Sequence, residues 1–211
     1  MDRKIRVKID TKKQIFIHND LASAAFQFKE RVEEKHKADD HHGVALDVMA
    51  CIITLSFTNE ARMNFLGHRL IDGWNEWQPI KDKIKQIAKS LSTKADFGTR
   101  PYATILEVKE FRDIFAHGKP IVVTSTHEEI TTQTELDRYN ILQPEWQRFL
   151  TYDFVQKAYE DLERVWDELM KLAGLSIFET MTQGGRSIQF IDYADEDVDT
   201  SSTPRDGGLG R

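Results

Sequence analysis

Near the start of the chain, Ile5, Val7 and Ile9 alternate with charged residues, and Ile15 and Ile17 resume the alternation after Thr11-Lys12-Lys13. A period of two marks strands, so residues 4–18 read as a short hairpin. The period then changes. Leu21, Ala25, Phe28 and Val32 recur every three or four residues and predict a first helix, with His18-Asn19-Asp20 as its capping segment. After the charged run EEKHKADDHHG, Gly43 opens a helix over about 44–72. It is apolar on nearly every side as far as Phe57 and gains polar residues from Asn59 onward, so it predicts the most buried element. Gly73 ends it.

Pro79 suits the first turn of a third helix, whose stripe is Ile80, Ile84, Ile87 and Leu91. Pro101 opens a fourth, which Gly118 and Pro120 close near His117. The β-branched stretch Ile121–Thr134 predicts a second hairpin around Thr126-His127. A last long helix over about 152–173 carries Phe154, Ala158, Leu162, Val165, Leu169 and Leu172 on one face. The strand-like SIQFIDY and a tail expected to be disordered from about Asp195 complete the chain. The fold class this predicts is mainly α: a bundle of about five helices with small β-hairpin additions. The domain division it predicts is one helical domain over 1–180, both hairpins included, and a terminal segment over 181–211.

Composition narrows the classes. About 40% of the 211 residues are apolar, enough for one core. No window holds the roughly 18 uninterrupted apolar residues of a membrane helix. Asp47, Thr54 and Ser56 interrupt the richest one. The basic N-terminus has no apolar region behind it, which argues against a secretory signal. The one cysteine, Cys51, sits in apolar surroundings and reads as a small buried hydrophobe. Having no internal partner, it points to a reducing cytoplasm. The net charge of −6 does not by itself suggest nucleic-acid binding. Half of it lies beyond Thr180, where six acids oppose three arginines. Basic residues cluster instead at 3–13 and at Lys81, Lys83, Lys85, Lys89 and Lys94.

The candidate chemistry lies in EFRDIFAHGKP, residues 110–120. Arg112 shares a helical face with Ile105, Val108 and Phe115, and a charge on an apolar face needs a partner or a task. His117 closes the helix, where the negative end of the macrodipole favours its protonated form. Five residues turn an ideal helix through about 500°, so the two side chains diverge by about 140°. They meet on one phosphate only if the helix end distorts or a second copy completes the site. Taken alone, the pattern also suits a histidine that terminates a helix and an arginine tied to buried carbonyls or to an acid such as Glu60.

FRDIFAHG, an R-x4-H string at a helix end, resembles the signature of HEPN domains. The order of elements is similar too, over about residues 20–174: an apolar central helix running into FTNEARMNFLGHRL, then WNEWQPIKDKIKQIAKSL, the arginine–histidine helix and a long last helix. The two hairpins lie outside that shared core. The resemblance implies a cytoplasmic homodimer whose two arginine–histidine pairs share one cleft. It implies a metal-independent endoribonuclease without a cofactor, leaving 2′,3′-cyclic phosphate and 5′-hydroxyl ends, of the kind found as toxins and anti-phage effectors. It implies RNA as substrate, with an antitoxin or regulatory protein as a further partner. In these roles His117 is the acid–base, Arg112 the phosphate clamp and Asp113 the orienting residue. The family also contains non-catalytic dimerisation and interaction modules, which is the alternative reading.

Helix order places Glu60 or Asn64 where it would hold Arg112, and puts His68 and Arg69 towards the same cleft. Lys81, Lys85 and Lys89 share a helix face that would track RNA, with Lys119 beside the motif. Trp74 and Trp77 either stack on bases or pack at a helix corner. Asp39-Asp40-His41-His42 suggests a metal-dependent hydrolase only weakly, because adjacent ligands in a loop chelate poorly. No phosphate-binding glycine loop, dinucleotide fingerprint, paired CxxC or nucleophile elbow occurs.

Overall fold

Helix α2, Val44–Leu70, is the centre around which the other helices pack. The computed structural model describes residues 3–126, 128, 130–136 and 142–193. Around α2 lie α1 (Ile17–Lys37), α3 (Ile80–Ser90), α4 (Tyr102–His117) and α6 (Tyr152–Leu172), with a short α5 at Gln133–Leu136. Single 3₁₀ turns occupy Glu145–Phe149 and Ile177–Thr180. The mainly helical class with a small antiparallel β addition is as the periodicity predicts.

Helix α2 is long and apolar enough, by length and composition, to cross a membrane. In this fold it packs against α1, α3, α4 and α6. Its buried Val48, Cys51, Ile52, Leu55, Met63 and Leu66 form the middle of one core with Ile84, Ile87, Ile105, Val108, Phe111, Val155, Leu162 and Leu169. Burial also pushes the Cys51 thiol up to about 12, so it stays a protonated, apolar filler. Two charge pairs tie α6 to its neighbours within this buried region. Asp161 of α6 accepts from Arg100 Nε at 2.7 Å and from Thr104 Oγ1 at 2.6 Å, which ties α6 to the start of α4. Arg62 of α2 grips Glu163 of α6 through both of its terminal nitrogens, at 2.7 and 3.1 Å.

Where α1, α2 and α6 meet, the ring of His18 is buried against Phe16, Phe65 and Trp166. Helix α1 thus begins one residue before His18, with Phe16 at its cap, and the predicted capping segment lies inside its first turn. Burial first, and the nearby Arg62 cation second, lower the His18 pKa from 6.5 to about 4. The unfolded chain therefore takes up a proton on this ring before the folded one does. Stability that depends on neutral His18 is complete above about pH 6.5 and is lost as pH falls towards 4, on the order of 3 kcal/mol at full extent. Urea midpoints compared at pH 7 and pH 4.5 should fall less for His18→Leu than for the wild type. Equal falls would show that this ring does not set the acid sensitivity.

Near the C-terminal end of α2, Gly67 faces the indole of Trp74, which folds back from the following loop. A Cβ at position 67 would clash with the Cε2, Cδ2 and Cζ2 atoms of that ring. Alanine is favoured over glycine within a helix by about 1 kcal/mol. Displacing a packed indole costs about 1–3 kcal/mol, and here it also breaks the bond from Trp74 Nε1 to Asn64 Oδ1 at 3.3 Å. Gly67→Ala is therefore expected to lower the thermal midpoint. In a Trp74→Ala background the same change should be neutral or stabilising, and a deficit unchanged there would discount the clash.

The strand pair is a separate unit, drawn among the described residues from 3–15 and 182–193, while the helices belong to the unit Phe16–Met181. The predicted N-terminal hairpin is instead one strand, β1 (Ile5–Gln14), running straight through Thr11-Lys12-Lys13. Its antiparallel partner is β2 (Gln183–Tyr193), which contains the SIQFIDY segment. The register sets Ile5 opposite Tyr193, Val7 opposite Phe190 and Ile9 opposite Ile188, so one face is apolar. Arg6 pairs with Asp192 on the other face. The predicted second hairpin is absent among the described residues: 118–126 carry no strand, and the segment ends in the α5 turn. His127 at its expected tip and the acidic tail from Asp195 lie outside the described residues.

Candidate functional site

Helix α4 carries the candidate residues on its last two turns. Phe111 is the inward residue there, fully buried and packed on Phe115 and Phe149. Arg112 lies one residue, about 100°, around the helix from it. The expectation of an inward Arg112 is thus corrected by one position: the apolar stripe runs through Ile105, Val108 and Phe111. The Arg112 side chain is 29% exposed and lines a cavity of about 440 Å³. Among the described residues its one ion pair is with neighbouring Asp113, Nε to Oδ1 at 3.3 Å, and Nε has no hydrogen-bond acceptor.

His117 is exposed at the end of α4, where Gly118 turns the chain in a left-handed conformation (φ 49°). Its ring lines a second, larger cavity of about 650 Å³, together with Asp113, Ile114, Lys119 and Lys81. Within one copy, therefore, Arg112 and His117 open into different cavities, as their divergence around the helix requires. Lys109 lines both and is ion-paired to Asp113 one turn on. The sequence reading missed Lys109, although its i,i+4 spacing from Asp113 was visible.

The proposed supports of Arg112 have other occupations. Glu60 lines the Arg112 cavity but pairs with the ammonium of Lys83, a lysine with no exposed surface. Asn64 lines the same cavity and accepts from Trp74. His68 is exposed beside Glu76, at 3.8 Å, and lines neither cavity. The Arg69 guanidinium lies 5.6 Å from the centre of the Phe65 ring. Trp74 packs against the core, whereas Trp77 stands 88% exposed on the wall of the Arg112 cavity.

Of the lysine row, Lys81 borders the His117 cavity and sits over the Phe97 ring at 5.3 Å. Lys85 lies 3.8 Å from Asp82, and Lys89 is exposed on the last turn of α3. His41 reaches Asp39 at 3.3 Å in an exposed loop, and no group of three metal-ligating side chains occurs among the described residues. The chemistry available is thus an imidazole and a guanidinium on one helix end, each lining its own solvent-open cavity, with Lys109 lining both. No protein-family model, curated protein or solved structure matches this chain.

Proposed function

We propose that this protein is a metal-independent endoribonuclease that works as a dimer of the HEPN type, with His117 as acid–base, Arg112 as phosphate clamp and Asp113 as orienting group. The observation that carries the reading is that Arg112 and His117 flank the end of α4 in solvent-open cavities, and neither is consumed by a distant structural ion pair among the described residues. In the reaction, an imidazole takes the proton of a ribose 2′-hydroxyl. That oxygen attacks the adjacent phosphorus, the bond to the 5′-oxygen breaks, and the imidazolium so formed returns its proton to the leaving oxygen. The guanidinium fork offsets the charge that builds on the non-bridging oxygens. Because one copy holds its arginine and histidine in separate cavities, two copies of α4 would complete the site. RNA supplies the substrate and no cofactor enters the step.

The test is incubation of the purified dimer with single-stranded RNA in the presence of a chelator. The expected products carry 2′,3′-cyclic phosphate and 5′-hydroxyl ends. Intact RNA, or a protein that stays monomeric, would sink the reading. The divergence of Arg112 from His117 also favours the second reading, a non-catalytic interaction module. That reading expects a dimer which leaves RNA whole.

A further inference from the structure

The geometry points to the Arg112 cavity as a nucleotide subsite, in which the indole of Trp77 stacks on a base of single-stranded RNA and Arg112 takes a neighbouring phosphate. This deepens the nuclease reading and rests on it for the identity of the strand. The cavity is built from Phe57, Glu60 and Asn64 of α2, the loop residues Glu76–Pro79 with Ile80 at the start of α3, and Lys109 and Arg112 of α4. Its volume of about 440 Å³ falls within the range of small-ligand pockets, roughly 300–1,000 Å³.

Trp77 is the unusual feature. Its ring stands almost wholly in water with no ring contact among the described residues, whereas Trp74, Trp146 and Trp166 all pack on the core. Its backbone is nevertheless fixed: its amide donates to Asn75 Oδ1 at 3.0 Å, and Pro79, two residues on, caps α3. A ring presented on a fixed loop suits stacking, which accepts any base because every base has a π-face.

The charges of the cavity favour an anion beside that ring. Glu60 is neutralised by Lys83 and Lys109 is matched by Asp113, while Glu76 is an acid of the lining without a permanent cation beside it among the described residues. Among the described residues Arg112 has only its contact with the already paired Asp113, so its guanidinium is the cation left there to take an external acceptor. A base beside a phosphate meets both requirements at once. Lys109 lines both this cavity and that of His117, so the two adjoin at that side chain.

The experiment measures the affinity of a labelled short oligo-adenylate with 2′-O-methyl riboses, which lacks the attacking hydroxyl and cannot be cleaved. Trp77→Ala should weaken binding by about tenfold to a hundredfold, and Trp77→Phe should restore most of it. An abasic version of the probe should bind wild type as weakly as the intact probe binds Trp77→Ala. Equal affinities across these proteins and probes, or no binding by wild type, would overturn the subsite. The two readings fail separately. Uncleaved RNA with Trp77-dependent binding defeats the nuclease alone, whereas cleavage with a KM indifferent to Trp77 defeats the subsite alone.

Discussion

His117→Ala is expected to slow RNA cleavage by about 10²–10⁴-fold, the usual contribution of a positioned acid–base group. Arg112→Ala should cost about 10²–10³-fold, as for the loss of a donor aimed at a developing oxyanion. Arg112→Lys should recover only part of this, because an ammonium keeps the charge but not the two-pronged geometry. None of the three should shift the thermal midpoint much. His117 is exposed, and the Arg112 side chain, partly exposed, holds no residue outside its own helix among the described residues. Mixed dimers sharpen the result. If the cleft is built from two copies of α4, an Arg112→Ala subunit paired with a His117→Ala subunit still assembles one intact pair. Such a mixture should recover measurable activity, which each variant alone lacks. No recovery in a verified mixed dimer would place the reacting groups within one copy.

Glu60→Ala should destabilise the protein by about 3–5 kcal/mol, the cost of stranding a buried charge. Lys83 of α3 has no exposed surface, and Glu60 of α2 is its ion-pair partner. Removing the carboxylate leaves an ammonium with neither water nor counter-charge. In a chain of this size that corresponds to a fall in Tm of roughly 6–20 °C. The partners are not equivalent, because the Glu60 side chain is 33% exposed and stays hydrated when Lys83 is removed. Lys83→Met, which fills a similar volume, should therefore be close to neutral. In the double variant, Lys83→Met should abolish most of the Glu60→Ala deficit. A Glu60→Ala protein that melts with the wild type would show that Lys83 finds water or another acceptor.

These two predictions fall on opposite sides of what sequence could reach. The R-x4-H string, its place before Gly118 and the divergence of its two ends are local properties of a helix with 3.6 residues per turn. They were legible from spacing alone. So were the extents of α2, α3, α4 and α6, because each carries a long apolar repeat closed by a proline, a glycine or a turn. The pairing of Glu60 was not legible. Spacing placed it on the helix beside Arg112, but Lys83 enters from α3 and takes the carboxylate. Which of two cations wins depends on how the helices pack, a distance that no one-dimensional pattern contains.

The strands show the same division. Alternation identified β1 and the SIQFIDY segment as extended, since facing is a property of each strand by itself. Their pairing joins positions at opposite ends of the chain, such as Ile5 with Tyr193, where short-range turn signals are silent. The β-branched stretch after Pro120 had strand propensity but gained no strand partner among the described residues, and propensity without a partner makes no ladder.

By itself, then, the sequence determined the helices, the buried α2 and the arginine–histidine helix end, because these follow from periods and caps within single elements. Tertiary structure alone decided that Phe111 rather than Arg112 points inward, that Lys83 claims Glu60, and that Arg112 and His117 open into separate cavities joined at Lys109. The physical reason is one of range. A helix period tells how side chains fan around an axis, but the direction of the core, the nearest counter-charge and the access of water are set by neighbouring elements far away in sequence.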